Sequence, residues 1–250
     1  MRTALITGAS SGIGAGAARH LASLGYRVIL VARRQSQLTE LAAEIGHGAV
    51  AESCDASSSS LVLALGERVH RMYGTPDVIV HCAGAGQWKR IEETTPDEVL
   101  FMTQAPYLAA FNVTHVFMQH MLDRRSGVIV HVDSPASVCP WRSSVGYASS
   151  RWALRGLHEA LCQDLVGTGV RSCHIVFGRT NGSYFEHNGI VAASVPMVAA
   201  TIRAIHRRVR PNNRAPRGAS QARRNVSLHA SCVRVALPGV VRWALRRSSG

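Results

Sequence analysis

Near its start the chain runs Thr7-Gly8-Ala9-Ser10-Ser11-Gly12-Ile13-Gly14, directly behind the apolar stretch Ala4-Leu5-Ile6 and ahead of an Ala/Leu-rich stretch from Ala15 to Leu24. The order strand, glycine turn, helix is a strong constraint on the fold. Glycines let the backbone turn sharply and approach a ligand with no Cβ in the way. The first turn of a helix offers N–H groups without intrahelical partners to an anion. The segment therefore predicts a phosphate cradle built from Gly8, Ser10, Ser11, Gly12, Ile13 and Gly14. Gly and Ser also build ordinary loops, so the cradle needs support from the rest of the chain.

Apolar β-rich runs alternate with helical patterns through most of the chain. Strands are predicted near 2–7, 27–32, 49–54, 77–82, 127–133 and 170–176, and helices near 13–24, 35–45, 58–72, 106–123 and 147–167, with a shorter helix near 194–207. Gly25, Gly46, Gly74, Gly127 and Gly169 fall where helices end or strands begin. This alternation predicts an α/β fold, a single Rossmann-type doubly wound parallel sheet with helices on both faces. Ligand then belongs at the carboxyl ends of the strands. Beyond residue 208 the alternation fails, which divides the chain into a domain over 1–205 and a basic extension over 206–250.

The formal charge of +13 is concentrated in that extension. Residues 1–186 hold all 15 acids against 16 bases, whereas residues 187–250 hold 12 arginines and no acid. Contact of this tail with an anionic membrane or nucleic acid is one reading. A solvated extension, or a reading-frame error in the coding sequence, are the others. The six cysteines contain no C-x-x-C pair and predict buried thiols, and no spacing supports metal ligation: His115 and His120 stand five apart, off one helical face. The N-terminal apolar run stops at Gly8 without a cleavage pattern, and Ile190 to Ile202 contains Pro196 and is shorter than the roughly 20 residues of a membrane-spanning helix. A cytoplasmic location is the expectation.

Four motifs in order make the chain resemble the short-chain dehydrogenase/reductase family over roughly residues 1–205. Thr7 to Gly14 matches its Thr-Gly-x-x-x-Gly-x-Gly turn, and Asp55 with Ala56 closes the third strand where the family's acid meets adenine. His81-Cys82-Ala83-Gly84 stands where the family has Asn-Asn-Ala-Gly, placing Ala83 and Gly84 against the cofactor, and Ser134 precedes Tyr147 by 13 residues as the family's catalytic pair does. By itself Asp55 is as readily a helix N-cap, and Ser134 the plain end of a strand. The resemblance implies a nicotinamide cofactor. A ribose with free hydroxyls calls for a carboxylate at the end of the second strand, but Ala32 stands there, followed by Arg33 and Arg34. Guanidinium groups suit a 2′-phosphate, so NADP(H) is expected in preference to NAD, the alternative being two solvated arginines at a helix start.

The resemblance further implies that Tyr147 exchanges a proton with a carbonyl or secondary alcohol substrate while Ser134 orients its oxygen. A tyrosine hydroxyl is mostly neutral at pH 7, so a permanent cation beside it favours the phenolate. The family supplies a lysine. Here Arg151, one helical turn after Tyr147, supplies charge with a planar group whose hydrogen bonds to the nicotinamide ribose cannot match those of an ammonium; the resemblance makes Tyr147 and Arg151 cofactor-binding as well as catalytic. Pro106 aligns with the family's relay asparagine and carries no amide, Asn112 stands 22 residues before Ser134, and Phe177-Gly178 replaces Pro-Gly. Thr180 and Ser183 are the candidates for the carboxamide. Trp141, Phe177, Tyr184 and Phe185 would cover the nicotinamide site and predict an apolar substrate, or simply pack in the core. Leu154, Leu157, Leu161 and Leu165 form a helical stripe that serves either a homodimer or homotetramer contact or internal packing. Because Arg151, Pro106 and His81 all depart from the pattern, a catalytically weak NADP-binding sensor or scaffold is the alternative to an active oxidoreductase.

Overall fold

The computed structural model describes residues 1–46 and 48–177. The helix expected near 194–207, the extension over 206–250, Gly178, Thr180, Ser183, Tyr184 and Phe185 lie outside the described residues.

Among the described residues six strands are all parallel: β1 (Thr3–Thr7), β2 (Arg27–Ala32), β3 (Ala49–Ser53), β4 (Val78–His81), β5 (Gly127–Asp133) and β6 (Val170–Val176). Their order, β3-β2-β1-β4-β5-β6, reverses direction between β1 and β4. That switch point opens a crevice at the carboxyl ends of β1 and β4, below the glycine turn.

Side chains of successive strand residues point to opposite faces, and the core divides accordingly. Ala4, Ile6, Val28, Leu30, Val78, Val80, Val128 and Val130 pack with α1 (Gly12–Ser23) and α2 (Gln35–Ile45). Leu5, Ile29, Val31, Ile79 and Ile129 face the other way, against Val62, Leu65 and Val69 of α3 (Ser59–Tyr73) and Val113, Phe117 and Met121 of α5 (Ala109–Asp123). α6 (Val145–Asp164) lies against β5 and β6. Of the leucine stripe, Leu154 and Leu165 are buried within the fold, which supports internal packing for those two.

The sequence predicts no helix between 82 and 106, yet α4 spans Pro96–Thr103. Its start is capped on both sides: Thr95 Oγ1 accepts from Glu98 N at 3.3 Å and Glu98 Oε2 accepts from Thr95 N at 3.0 Å, with Pro96 in the first helical position. α4 runs into a π-helical segment, Gln104–Leu108, and on into α5. Pro106 is buried inside that segment. A proline has no N–H to give and its ring collides with the carbonyl four residues back, so the wider π turn lets the helix pass without a break.

On the α5/α6 side of the sheet the apolar rule fails at one row. His81 pairs in register with His131, and His131 with His174. All three are buried, as is His158 of α6, whose ring stacks on His174 with centroids 5.4 Å apart. Burial alone pushes His81 down to about 3, and burial together with the neighbouring histidines holds His131 well below the ordinary imidazole range. Among the described residues no group of three or more His, Cys, Asp or Glu is placed to hold a metal ion. The five described cysteines are free, and Cys54, Cys162 and Cys173 are buried.

Candidate active site

The glycine turn is held to the sheet by its own close packing. Gly8 has φ +66, and a Cβ there would come within 2.7 Å of Ala83 N. A Cβ on Gly14 would lie 2.2 Å from the Gly8 carbonyl oxygen, so the helix start and the turn close on each other. Gly12, by contrast, has φ +54 and open space where its Cβ would be. Ser11 is the N-cap of α1, yet no side chain caps the helix and its first turn holds no acid. The N–H groups around Gly12, Ile13 and Gly14 therefore meet an open, anion-favouring space, which fits a pyrophosphate.

Arg34, the N-cap of α2, is not a simply solvated helix start. Its Nη2 donates to Ser10 Oγ at 2.8 Å and to Ser11 Oγ at 2.9 Å, which ties the end of β2 to the glycine turn. Arg33 is exposed next to it, and its charge reaches Asp55. Partial burial works to raise the Asp55 carboxyl, but hydrogen bonds from the Ser57 hydroxyl and N–H, aided by Arg33, outweigh it and hold Asp55 below the usual carboxylate range. Both Ser57 bonds reach Oδ1, at 2.7 and 3.0 Å. The loop carrying Asp55 and Ala56 is pinned from α5, where Asn112 Nδ2 donates to the Ala56 and Ser57 carbonyls at 3.2 and 3.0 Å. Asn112 is thereby committed to the loop and supplies no substitute for a relay amide at Pro106.

Across the switch point, Tyr147 and Arg151 lie one turn apart on a buried face of α6. The Arg151 guanidinium carbon stands 5.0 Å from the centroid of the Tyr147 ring, and a Cβ on Gly84 would come within 2.5 Å of Arg151 Nη2. Arg151 thus occupies the space between the end of β4 and the tyrosine. Ser134 follows the last residue of β5, and its Oγ accepts from Ala136 N at 3.3 Å. Trp141 packs at 6.0 Å from Tyr147 and meets Trp88 edge-on at 5.1 Å, making an aromatic wall with Met102 and Ala136. Phe177 is buried in the main core. Trp88, Asp133 and His174 belong to this region and are not candidates from the sequence. Asp133 sits one residue before Ser134, which is the only local signal for it.

The family model for short chain dehydrogenases matches residues 2–188. This chain belongs to the short-chain dehydrogenase/reductase family. Relatives of the chain are named as dehydrogenases, reductases and oxidoreductases. It is 32% identical to an NADPH-dependent pterin aldehyde reductase of Arabidopsis thaliana over 66% of this chain and 69% of that protein. An uncharacterized oxidoreductase of Mycobacterium tuberculosis is 31% identical over 80% of this chain and 82% of its own length. A short chain dehydrogenase of Pseudocercospora fijiensis is 31% identical over 68% of this chain, which spans only 57% of that relative. Among solved structures, an alcohol dehydrogenase from Thermococcus sibiricus complexed with 5-hydroxy-NADP superposes with a TM-score of 0.74 at 28% identity, over 83% of this chain and 91% of that one. A metagenomic short-chain oxidoreductase in complex with NADP gives 0.72 at 29% identity, over 82% and 89%.

Proposed function

We propose that the chain transfers a hydride between NADP(H) and a carbonyl or secondary alcohol of apolar character. The observation that carries this reading is the pairing of two half-sites across the switch point: an uncapped helix start bridged to Arg34, and Tyr147 with Arg151 on the facing side of α6. When bound, the cofactor supplies the hydride. The α1 N-terminus would hold its pyrophosphate, Arg33 and Arg34 its 2′-phosphate, Asp55 and Ala56 its adenine, and Ala83 and Gly84 its ribose. Ser134 orients the substrate oxygen. As carbonyl carbon gains the hydride, the Tyr147 hydroxyl gives its proton to the oxygen, and the reverse holds for alcohol oxidation. Arg151 places its guanidinium beside the phenolate left behind. The NADPH dependence named for the Arabidopsis reductase and the NADP in the two solved relatives support the choice of cofactor. Trp88 and Trp141 support an apolar substrate. A homodimer or homotetramer through α5 and α6 belongs to the same reading, since Phe111 and Trp152 leave apolar surface exposed there.

Purified protein is expected to oxidise NADPH with members of a panel of hydrophobic aldehydes and ketones. Tyr147→Phe should lower turnover about 100-fold or more. Turnover equal to wild type in that variant would remove Tyr147 from the mechanism. Arg34→Ala should weaken NADPH binding about tenfold, the loss of one charge-assisted contact near solvent, and leave NADH binding unaltered. Equal weakening of both cofactors would show that Arg34 supports the turn and does not read the 2′-phosphate.

A further inference from the structure

Arg151 is buried against polar groups that break the apolar pattern of their strands. Its side chain is 8% exposed and that of Asp133 is wholly screened from solvent. Asp133 Oδ1 accepts from Ser134 N at 2.7 Å and lies 3.7 Å from Arg151 Nη1. Asp133 Oδ2 is 2.8 Å from His174 Nε2, a contact that requires the imidazole proton to sit on that nitrogen. A carboxylate of this kind, placed behind the cation that faces Tyr147, changes what the tyrosine feels. Buried opposite charges a few ångströms apart act on a third group as a dipole, and a lone buried cation would act on it far more strongly.

We propose that Asp133 is a positioning residue for the proton chemistry of Tyr147: it holds Arg151 over the phenol ring and cancels most of the guanidinium charge there. The field at the Tyr147 ring is then that of an ion pair and not of a free cation. The inference rests on Tyr147 being the proton shuttle of the proposed function. Among the described residues, the other titratable groups buried around the pair are His81 of β4, His131 of β5, and His158 and Cys162 of α6. Burial keeps the first two neutral near pH 7, and His158 Nδ1 bonds Ser172 Oγ at 2.8 Å. Asp133 and Arg151 are thus a buried pair of formal charges beside Tyr147, with His174 bonded to Asp133.

The test compares the full chain with Asp133→Asn, Arg151→Gln and the variant carrying both changes, each beside its own Tyr147→Phe counterpart. The difference in tyrosinate absorbance between the two members of each pair reports Tyr147 alone as pH rises. The midpoint should fall by about one pH unit in Asp133→Asn and rise by about one unit in Arg151→Gln. In the double variant, which carries neither charge, it should return to within about half a unit of wild type. The pH dependence of turnover should move in the same order. A double variant that follows Arg151→Gln, or an Asp133→Asn midpoint that stays in place, overturns the proposal. If either single variant fails to fold, the double variant leaves no unpaired buried charge and decides alone: agreement with wild type supports the neutral pair, and a shift of about one unit or more refutes it. The absorbance needs no substrate. Absence of turnover with the expected order of midpoints would therefore count against the oxidoreductase reading and leave the ion-pair assignment standing.

Discussion

Lowering the pH from 7.5 to 5.0 is expected to cost the fold about 4 kcal/mol, a large part of the stability of an ordinary domain. The cause is the histidine row on β4 and β5. In the unfolded chain a histidine takes up its proton near pH 6.5, whereas burial drives His81 down to about 3 and holds His131 well below the ordinary range. Both folded-state values are depressed, so the unfolded chain binds more protons than the folded one below pH 6.5, and stability falls as pH falls. Each histidine contributes a slope of about 1.4 kcal/mol per pH unit, and two give about 2.7. The carboxyls of Glu44, Asp55 and Glu98 are held low by their partners, so their own effect falls below this window. Denaturant unfolding measured at half-unit steps of pH tests this directly. His131→Leu, which keeps the position apolar, should remove about half of the slope. A wild-type slope under about 1 kcal/mol per unit in that window would mean that the row takes up protons without unfolding.

Why this row escaped the sequence reading explains much of what did and did not show. The six strands were legible because each is a short apolar run bounded by glycine or a helical pattern, and each predicted span agrees with the structure to within about a residue. His81 and His131 follow apolar residues in those runs, and His174 comes after Arg171 and Ser172 in β6. Their meeting depends on strand order and register, which bring together residues from three separate strands. The same holds for Asp133 and His174, which are 41 residues apart in sequence. α4 was missed for a different reason. Its apolar residues do not make one inward stripe, since Leu100 and Phe101 are exposed and only Met102 is buried. The signal available was the cap, Thr95 with Glu98 around Pro96, and not periodicity. At the site, residues whose role depends on local order were legible: the glycine turn, Arg34 at a helix start, Asp55 at a strand end, and Tyr147 with Arg151 one turn apart. What Arg151 pairs with was not, because its partner comes from the neighbouring strand.

Gly8→Ala is expected to destabilise the fold by about 3 to 4 kcal/mol, and to lower Tm by about 10 °C. Two costs add. At φ +66 an alanine is in the left-handed region, worth about 1 kcal/mol. Its Cβ would also stand 2.7 to 2.8 Å from Ala83 N, Ala83 Cα and Cys82 C, which are backbone atoms at the end of β4 and not a flexible side chain. Relief requires β1 and β4 to separate where Cys82 N donates to the Thr7 carbonyl at 3.2 Å and Ala83 N to Thr7 Oγ1 at 3.4 Å. That separation would open the crevice, so NADPH affinity should fall together with stability. Gly12→Ala makes the contrast. With φ +54 and open space around its Cβ, it should cost only about 1 kcal/mol of stability. Its methyl would enter the space in front of the α1 N-terminus, and NADPH affinity should fall by at least about tenfold despite the small change in Tm. Thermal unfolding and cofactor titration of the two variants separate the roles: Gly8 closes the turn on the sheet, and Gly12 clears the room for phosphate. If Gly12→Ala bound NADPH as wild type does, the phosphate would have to lie elsewhere along the turn, and the assignment of the α1 N-terminus as its seat would fail.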